Sequence, residues 1–195
     1  LKYLKKKHFN NVIISVGYKA ELVQNYVRDN IDFMNVKIIN DGKKLLGTGG
    51  AIKKSINLLK DYFYVIYGDS YLNFNLNDLK TTSKISTMAI YKNQNRYDQS
   101  NVQRKKSEFI GYNKSKKKGK YEYIDYGVSY LEKKNFQNFK KNTRFDLSNL
   151  LQKISRENKL KGFVVKKRFY EIGSYNGIKE FKNFIKNEFY KNLQK

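Results

Sequence analysis

The chain has 195 residues, no cysteine and a formal net charge of +24. Without cysteine it has neither disulfide bonds nor a thiolate metal site, which is compatible with the cytoplasm, where we expect the protein to act. No apolar run is long enough to span a bilayer, which argues against a membrane protein.

The high charge would suit a nucleic acid as partner. However, only six of the 41 basic residues are arginine, the side chain that most often recognises bases and phosphates. The lysines are spread along the whole chain, and the densest run, residues 114–120, is typical of a solvated loop. We therefore interpret the charge as a bias of composition and argue against nucleic acid as a partner.

Strand and helix patterns alternate along the first half of the chain. The predicted elements are the end of a helix (1–7), a buried strand NVIISVG (11–17), a helix (20–28) with Leu22, Val23, Tyr26 and Val27 on one face, a strand VKIIN (36–40), a glycine-rich turn, a short helix with Ile52, Ile56 and Leu59 on its buried stripe, and the apolar strand YFYVIYGDS (62–70).

The second half continues the same alternation. The predicted elements are a strand (86–92), β-structure at 108–114 and 121–131, a helix marked by Leu147, Leu150, Leu151 and Ile154, a strand (162–167), and a final amphipathic helix marked by Ile178, Phe181, Ile185 and Phe189. Strands that alternate with helices predict an α/β fold with a mainly parallel sheet and helices on both faces. We predict a single domain over residues 1–195, without internal repeats.

Two features lie where a predicted strand ends, which is where open parallel sheets bind ligands. The turn LLGTGG (45–50) leads into a helix, so its free N–H groups and the helix N-terminus are predicted to face a ligand. Asp69 ends the apolar strand and could hold Mg²⁺. A tight turn and a capping residue are the simpler alternatives. His8 is the only histidine, so serine–histidine and histidine–metal chemistry have little support.

The motifs LGTGGAI, YGDSYLNFNL, GYNK, YIDYGVSYL and FYEIGSYNGIKEF follow one another along the chain. Because of these motifs and their order, the sequence resembles the sugar-phosphate nucleotidyltransferase family over essentially its whole length. The resemblance extends to the heptose 1-phosphate guanylyltransferase-like branch of that family. The resemblance implies a Rossmann-like three-layer nucleotide-diphospho-sugar transferase fold with a mainly parallel mixed sheet. It also implies Mg²⁺-dependent transfer of a nucleotidyl group from a nucleoside triphosphate to a sugar 1-phosphate, which gives an NDP-sugar for lipopolysaccharide or capsule biosynthesis.

The resemblance also implies roles for individual residues. The base and ribose would lie against Gly47, Thr48, Gly49 and Gly50, while Asp69 would hold Mg²⁺ and Lys114 would grip the sugar phosphate, both as catalytic residues. The sugar hydroxyls would meet Asp125 and Gly127. Glu171 falls where the family usually has an aspartate that holds metal and sugar, and Gly173 and Ser174 complete that turn.

One departure concerns the start of the family's fold. Family members begin with a strand and a glycine-rich loop that carries an arginine, followed by a proline–lysine pair, and this sequence has no counterpart. We therefore expect an amino-terminally incomplete copy that lacks its first strand and loop and is inactive as given. A non-catalytic nucleotide-binding or regulatory domain and a basic nucleic-acid-binding protein remain the alternatives. The base, the sugar and the oligomeric state stay open.

Overall fold

The computed structural model describes residues 1–80, 84–115 and 121–193, in which helices and strands alternate up to residue 66, and further strands then follow without an intervening α-helix up to residue 132. The chain divides into two units, each built from two segments. Unit 1 comprises Leu1–Phe63 and Glu132–Glu157, and unit 2 comprises Tyr64–Leu131 and Asn158–Lys195. The assignment of residues 1–195 to one domain stays a prediction.

Unit 1 contains one parallel strand pair and most of the helices. Its elements are α1 (Lys2–Lys6), β1 (Asn11–Val16), α2 (Ala20–Asn30), β2 (Asn35–Asn40), α3 (Gly47–Ser55) and α4 (Leu147–Arg156). β1 pairs with β2 in register from Asn11 opposite Asn35 to Val16 opposite Asn40. The strand predicted to be buried is only half-buried, because Val16 alone among the residues of β1 is fully enclosed.

Helix α4 supplies much of the core of unit 1. Its four marker residues are all buried, which confirms the predicted stripe of Leu147, Leu150, Leu151 and Ile154. Asp146 caps the helix by accepting a hydrogen bond from the Ser148 N–H at 2.9 Å. By contrast, the apolar face predicted for α2 is largely open, since Leu22 and Tyr26 are 63% and 62% exposed.

Unit 2 is built on a mixed sheet. Its strands are β3 (Tyr62–Ile66, which begins in unit 1), β4 (Ser70–Tyr71), β5 (Ser86–Lys92), β6 (Val102–Arg104), β7 (Ile110–Tyr112), β8 (Tyr123–Glu132), β9 (Leu160–Val164) and β10 (Tyr170–Glu171). The six-stranded sheet has the order β7-β6-β8-β5-β9, with β3 also on β8. β5 is parallel to β9 and antiparallel to β8. The predicted α/β class with a mixed sheet is confirmed.

The last helix, α5 (Tyr175–Leu193), packs differently from the prediction. Ile178, Ile185 and Phe189 of the predicted stripe are 38%, 45% and 61% exposed. The rings that pack are those of Phe181, 4.7 Å from Tyr71, and of Phe184, 4.5 Å from Tyr170. The predicted helix is confirmed, but of its four marker residues Phe181 alone packs in this way, and the other three are exposed. No helix in the described ranges is both long and apolar enough to cross a membrane.

The glycines of the motif LLGTGG form the first turn of α3. The sequence had instead suggested that they lie in a turn before the helix. A Cβ atom at Gly47 would lie 2.7 Å from the carbonyl oxygen of Phe145, and one at Gly50 would lie 2.5 Å from that of Thr143. A Cβ atom at Gly49 would enter the ring of Phe145. Glycine is therefore needed here because residues 143–145 of the same unit approach the helix closely.

This packing predicts an unusual sign for one substitution. Alanine normally stabilises a helix by about 1 kcal/mol over glycine, but Gly49→Ala should lower the free energy of unfolding by about 1–3 kcal/mol because the new methyl group overlaps Phe145. In a Phe145→Ala background the same change should be neutral or stabilising. Urea unfolding of the two single variants and the double variant measures both effects. Equal destabilisation in the two backgrounds would show that Phe145 is not the cause.

Candidate functional site

The amides that open α3 are the first predicted ligand contacts. The N–H groups of Gly49 and Gly50 both donate to the carbonyl oxygen of Phe145 at 3.1 Å. The prediction that the amides of this turn are free was therefore wrong for these two glycines. The reason is that residues 143–146 cover this part of the turn and use its hydrogen-bonding capacity, which could not be read from the motif alone.

Thr48 joins the first turns of α3 and α4. Its hydroxyl donates to Oδ1 of Asp146 at 3.3 Å and accepts from the Leu147 N–H at 2.9 Å. Since Asp146 also caps α4, Thr48 and Asp146 together accept from two N–H groups at the start of that helix. In this structure Thr48 therefore has a structural role within unit 1.

In unit 2, the structure brings two predicted metal ligands together. β4 and β10 are antiparallel, with Ser70 opposite Glu171, and the Ile172 N–H donates to the main-chain oxygen of Asp69 at 2.8 Å. A Cβ atom at Gly173 would lie 2.7 Å from Oδ2 of Asp69 and 2.6 Å from Oε1 of Glu171. The absence of a side chain at Gly173 thus leaves the two carboxylates on either side of one small space.

This donor set fits a hard divalent cation. The two oxygens lie 2.6 Å and 2.7 Å from one point, the position of that Cβ atom, so they border the same small space. Mg²⁺ commonly takes one or two carboxylates and completes its shell with phosphate oxygens and water. Within residues 1–80, 84–115 and 121–193 there is no group of three or more histidine, cysteine or acidic residues arranged to hold a metal. Asp69 and Glu171 are therefore suited to Mg²⁺ only together with a phosphate ligand.

The longer side chain of Glu171 is held by the turn that follows it. Oε2 of Glu171 accepts a hydrogen bond from the Ser174 hydroxyl at 3.2 Å, and that hydroxyl accepts from the Gly177 N–H at 3.0 Å. Ser174 precedes α5 and acts as its amino-terminal cap. The start of α5 therefore orients one of the two carboxylates.

The predicted sugar-binding residues lie at an irregular point of β8. Gly127 has a φ of +84°, and its N–H donates to Oδ1 of Asp125 at 2.9 Å. A Cβ atom at Gly127 would overlap the hydroxyl of Ser70. Ser70 is thus a further candidate residue of this site, beside the predicted sugar-binding residues. The sequence interpretation missed it, although its place directly after Asp69 could have indicated it.

The carboxyl group of Asp125 titrates near neutrality. Burial raises the pKa of Asp125 to about 6, although the hydrogen bond from Gly127 and the positive charge of Lys114 favour the ionised form. Lys114 itself is exposed, and residues 116–120 of the lysine-rich run lie outside the described ranges. Asp125 is therefore predominantly ionised at physiological pH, where its carboxylate accepts hydrogen bonds.

The chain is similar to several characterised proteins, although no family model matches it. It is 30% identical over 173 residues to D-glycero-alpha-D-manno-heptose 1-phosphate guanylyltransferase from Campylobacter jejuni, which covers 88% of this chain and 77% of that protein. Among solved structures, HddC from Yersinia pseudotuberculosis complexed with GMP-PN aligns with a TM-score of 0.72 at 24% identity, over 92% of this chain and 80% of the other.

The inositol-1-phosphate CTP transferase from T. maritima aligns with a TM-score of 0.69 at 19% identity, over 89% of this chain and 74% of the other. These two structural similarities establish the fold, and the identity to the Campylobacter protein over most of both chains establishes the relationship. The chain belongs to the sugar-phosphate nucleotidyltransferase family.

Proposed function

We propose that the protein transfers a nucleotidyl group from a nucleoside triphosphate to a sugar 1-phosphate, with GTP and a heptose 1-phosphate as the substrates. The observation that carries the proposal is the pair of carboxylates on either side of Gly173. The choice of substrates is supported by the name of the Campylobacter relative. Family membership favours this function over a non-catalytic nucleotide-binding domain and over a nucleic-acid-binding protein.

The proposed reaction exchanges one bond to phosphorus for another. A phosphate oxygen of the sugar 1-phosphate attacks the α-phosphorus of the triphosphate, the bond from that phosphorus to the β-phosphate oxygen breaks, and pyrophosphate leaves. No covalent intermediate with the protein is needed, so positioning and charge stabilisation supply the rate. When bound, Mg²⁺ would neutralise phosphate charge and align the phosphate oxygens. We assign its binding to Asp69 and Glu171.

The sugar phosphate is assigned to the other predicted residues of unit 2. Lys114 would hold its phosphate, and the predominantly ionised Asp125 would accept a hydrogen bond from a sugar hydroxyl. The main chain at Gly127 and the turn of Gly173 and Ser174 would complete the contacts. The support for this assignment is that the charge of Lys114 acts on the carboxyl group of Asp125, so both groups lie in one electrostatic environment.

The nucleotide is assigned to the turn formed by Gly47, Thr48, Gly49 and Gly50 in unit 1. Because residues 143–146 cover one side of this turn, the base and ribose would lie along the side that those residues leave open. From the family resemblance we also propose that the protein acts in the cytoplasm and supplies an NDP-sugar for lipopolysaccharide or capsule.

The metal assignment predicts graded effects of three substitutions. Asp69→Asn should lower kcat/KM by about 100-fold or more because it removes a charged ligand from the cation. Glu171→Ala should cost about tenfold, since phosphate oxygens and water can replace one ligand. Glu171→Asp should keep or raise the activity because aspartate is the family's usual residue. The measurement, here and in the kinetic tests below, is the initial rate of pyrophosphate release from GTP and heptose 1-phosphate against Mg²⁺ concentration, in a protein that carries a family-type amino-terminal strand and glycine-rich loop.

Asp78 provides a matched control for these variants. Its exposed carboxylate accepts a hydrogen bond from the neighbouring side chain of Asn75 at 2.9 Å. Asp78→Asn should leave the rate and its Mg²⁺ dependence unchanged. If Asp69→Asn behaves like Asp78→Asn, the assignment of Asp69 to the cation fails.

The assignment of Lys114 predicts a loss in substrate binding. Lys114→Ala should raise the KM for heptose 1-phosphate by about tenfold, with a smaller effect on the KM for GTP. The reason is that the substitution removes a positive charge that contacts the phosphate of the sugar. Lys80, another exposed lysine of unit 2, is the control, and Lys80→Ala should be nearly silent. Similar effects of the two substitutions would indicate a diffuse positive field instead of a specific contact.

A further inference from the structure

Asn101 lies immediately before β6, between the two segments that carry proposed sugar-phosphate contacts. Its main-chain N–H donates to the carbonyl oxygen of Tyr123 at 2.9 Å, at the start of β8. Its own carbonyl oxygen accepts from the Asn113 N–H, also at 2.9 Å, and Asn113 directly precedes Lys114. The main chain of Asn101 therefore joins β8 to the segment of Lys114.

The side chain of Asn101 makes a third bond to the same region. Its Oδ1 accepts a hydrogen bond from the main-chain N–H of Asp125 at 3.0 Å. Asp125 faces Ile90 of β5 at the point where the register between the two strands shifts. The side chain of Asn101 thus supports the backbone of Asp125 where the regular ladder to β5 is interrupted.

We propose that Asn101 is a positioning residue for the sugar phosphate, because its side chain fixes Asp125 against the segment that carries Lys114. A sugar phosphate would then meet the lysine and the carboxylate at a set separation. This inference rests on the proposed function, since it concerns the same ligand. The residue falls in none of the motifs that indicated the family, and its role comes only from its three hydrogen bonds.

Truncation of the side chain separates this role from a purely structural one. Asn101→Ala keeps both main-chain bonds, so the link between β8 and the Lys114 segment remains. It removes only the acceptor for the Asp125 N–H, which must then find water or move. The substitution should therefore disturb binding of the sugar phosphate more than it disturbs the chemical step or the binding of GTP.

Asn95 supplies the matched control for the kinetic test. Its Oδ1 also accepts a main-chain N–H, that of Ser100 at 2.8 Å, in the same unit. With GTP, Mg²⁺ and heptose 1-phosphate, Asn101→Ala should raise the KM for the sugar phosphate about tenfold, with kcat and the KM for GTP within about twofold. Asn95→Ala should leave all three constants within about twofold. An equal rise in both variants, or a loss confined to kcat, would overturn the proposal.

Hydrogen exchange tests the positioning without any need for activity. Exchange of the Asp125 amide should accelerate about tenfold in Asn101→Ala and stay slow in Asn101→Asp, which retains an acceptor oxygen. Unchanged protection of this amide in Asn101→Ala would overturn the proposal whatever the kinetics show. Absence of turnover in a protein that carries a family-type amino-terminal strand and glycine-rich loop would contradict the proposed function, and the exchange rates would still decide whether Asn101 holds Asp125.

Discussion

The short antiparallel pairing of β4 with β10 is the interaction on which the candidate site of unit 2 depends. Only two residue pairs form it, Tyr170 with Tyr71 and Glu171 with Ser70. Asp69 and Glu171 are far apart in the sequence, and this pairing alone places their carboxylates at one glycine. Because so short a pair has little stability of its own, it must be held by its surroundings.

Helix α5 and Arg168 provide that support. The rings of Phe181 and Phe184 pack on Tyr71 and Tyr170, one from each strand of the pair. The guanidinium of Arg168 lies 3.6 Å from the ring centre of Tyr97 and 4.7 Å from that of Tyr170, and it also forms an ion pair with Glu180 of α5. Cation–π and charge contacts thus connect α5 to β10 beside the carboxylates. Much of the rest of α5 is exposed, which fits a helix whose main role is to support the pairing of β4 with β10.

Glycine has the same physical use in both units, which is to let other side chains approach the main chain closely. At Gly173 the groups are two carboxylates, and at Gly49 the neighbour is the ring of Phe145. The motif in unit 1 therefore has a sufficient explanation in packing, whereas the turn in unit 2 leaves acidic oxygens with space for a ligand. A glycine-rich motif alone cannot distinguish these two cases, because both require the same missing side chain.

The sequence predicted the longer elements and most of the candidate residues. Helical periodicity is strong in α4, whose buried residues were predicted correctly, and β5 was predicted as a strand with the bounds that it has in the structure. β4, β6 and β10 have two or three residues each, too few for any periodicity, so they could not be found. Ser70 and Asn101 were missed because their contacts come from pairing between distant segments, which no local pattern reports. Helix α5 was predicted correctly, but three of its four marker residues are exposed, because amphipathic spacing does not tell how much of a helix is covered.

The assignment of the cation to Asp69 and Glu171 is tested most directly by finding where a divalent cation binds. Mn²⁺, which resembles Mg²⁺ in its oxygen ligands, broadens the NMR signals of nearby amides. When Mn²⁺ is titrated into the labelled protein with GTP present, the amide signals of Ser70, Ile172 and Gly173 should broaden first, and Asp69→Asn should abolish this effect. If these signals broaden no earlier than those of α4, or if Asp69→Asn leaves the broadening unchanged, the two carboxylates at Gly173 are not the cation site.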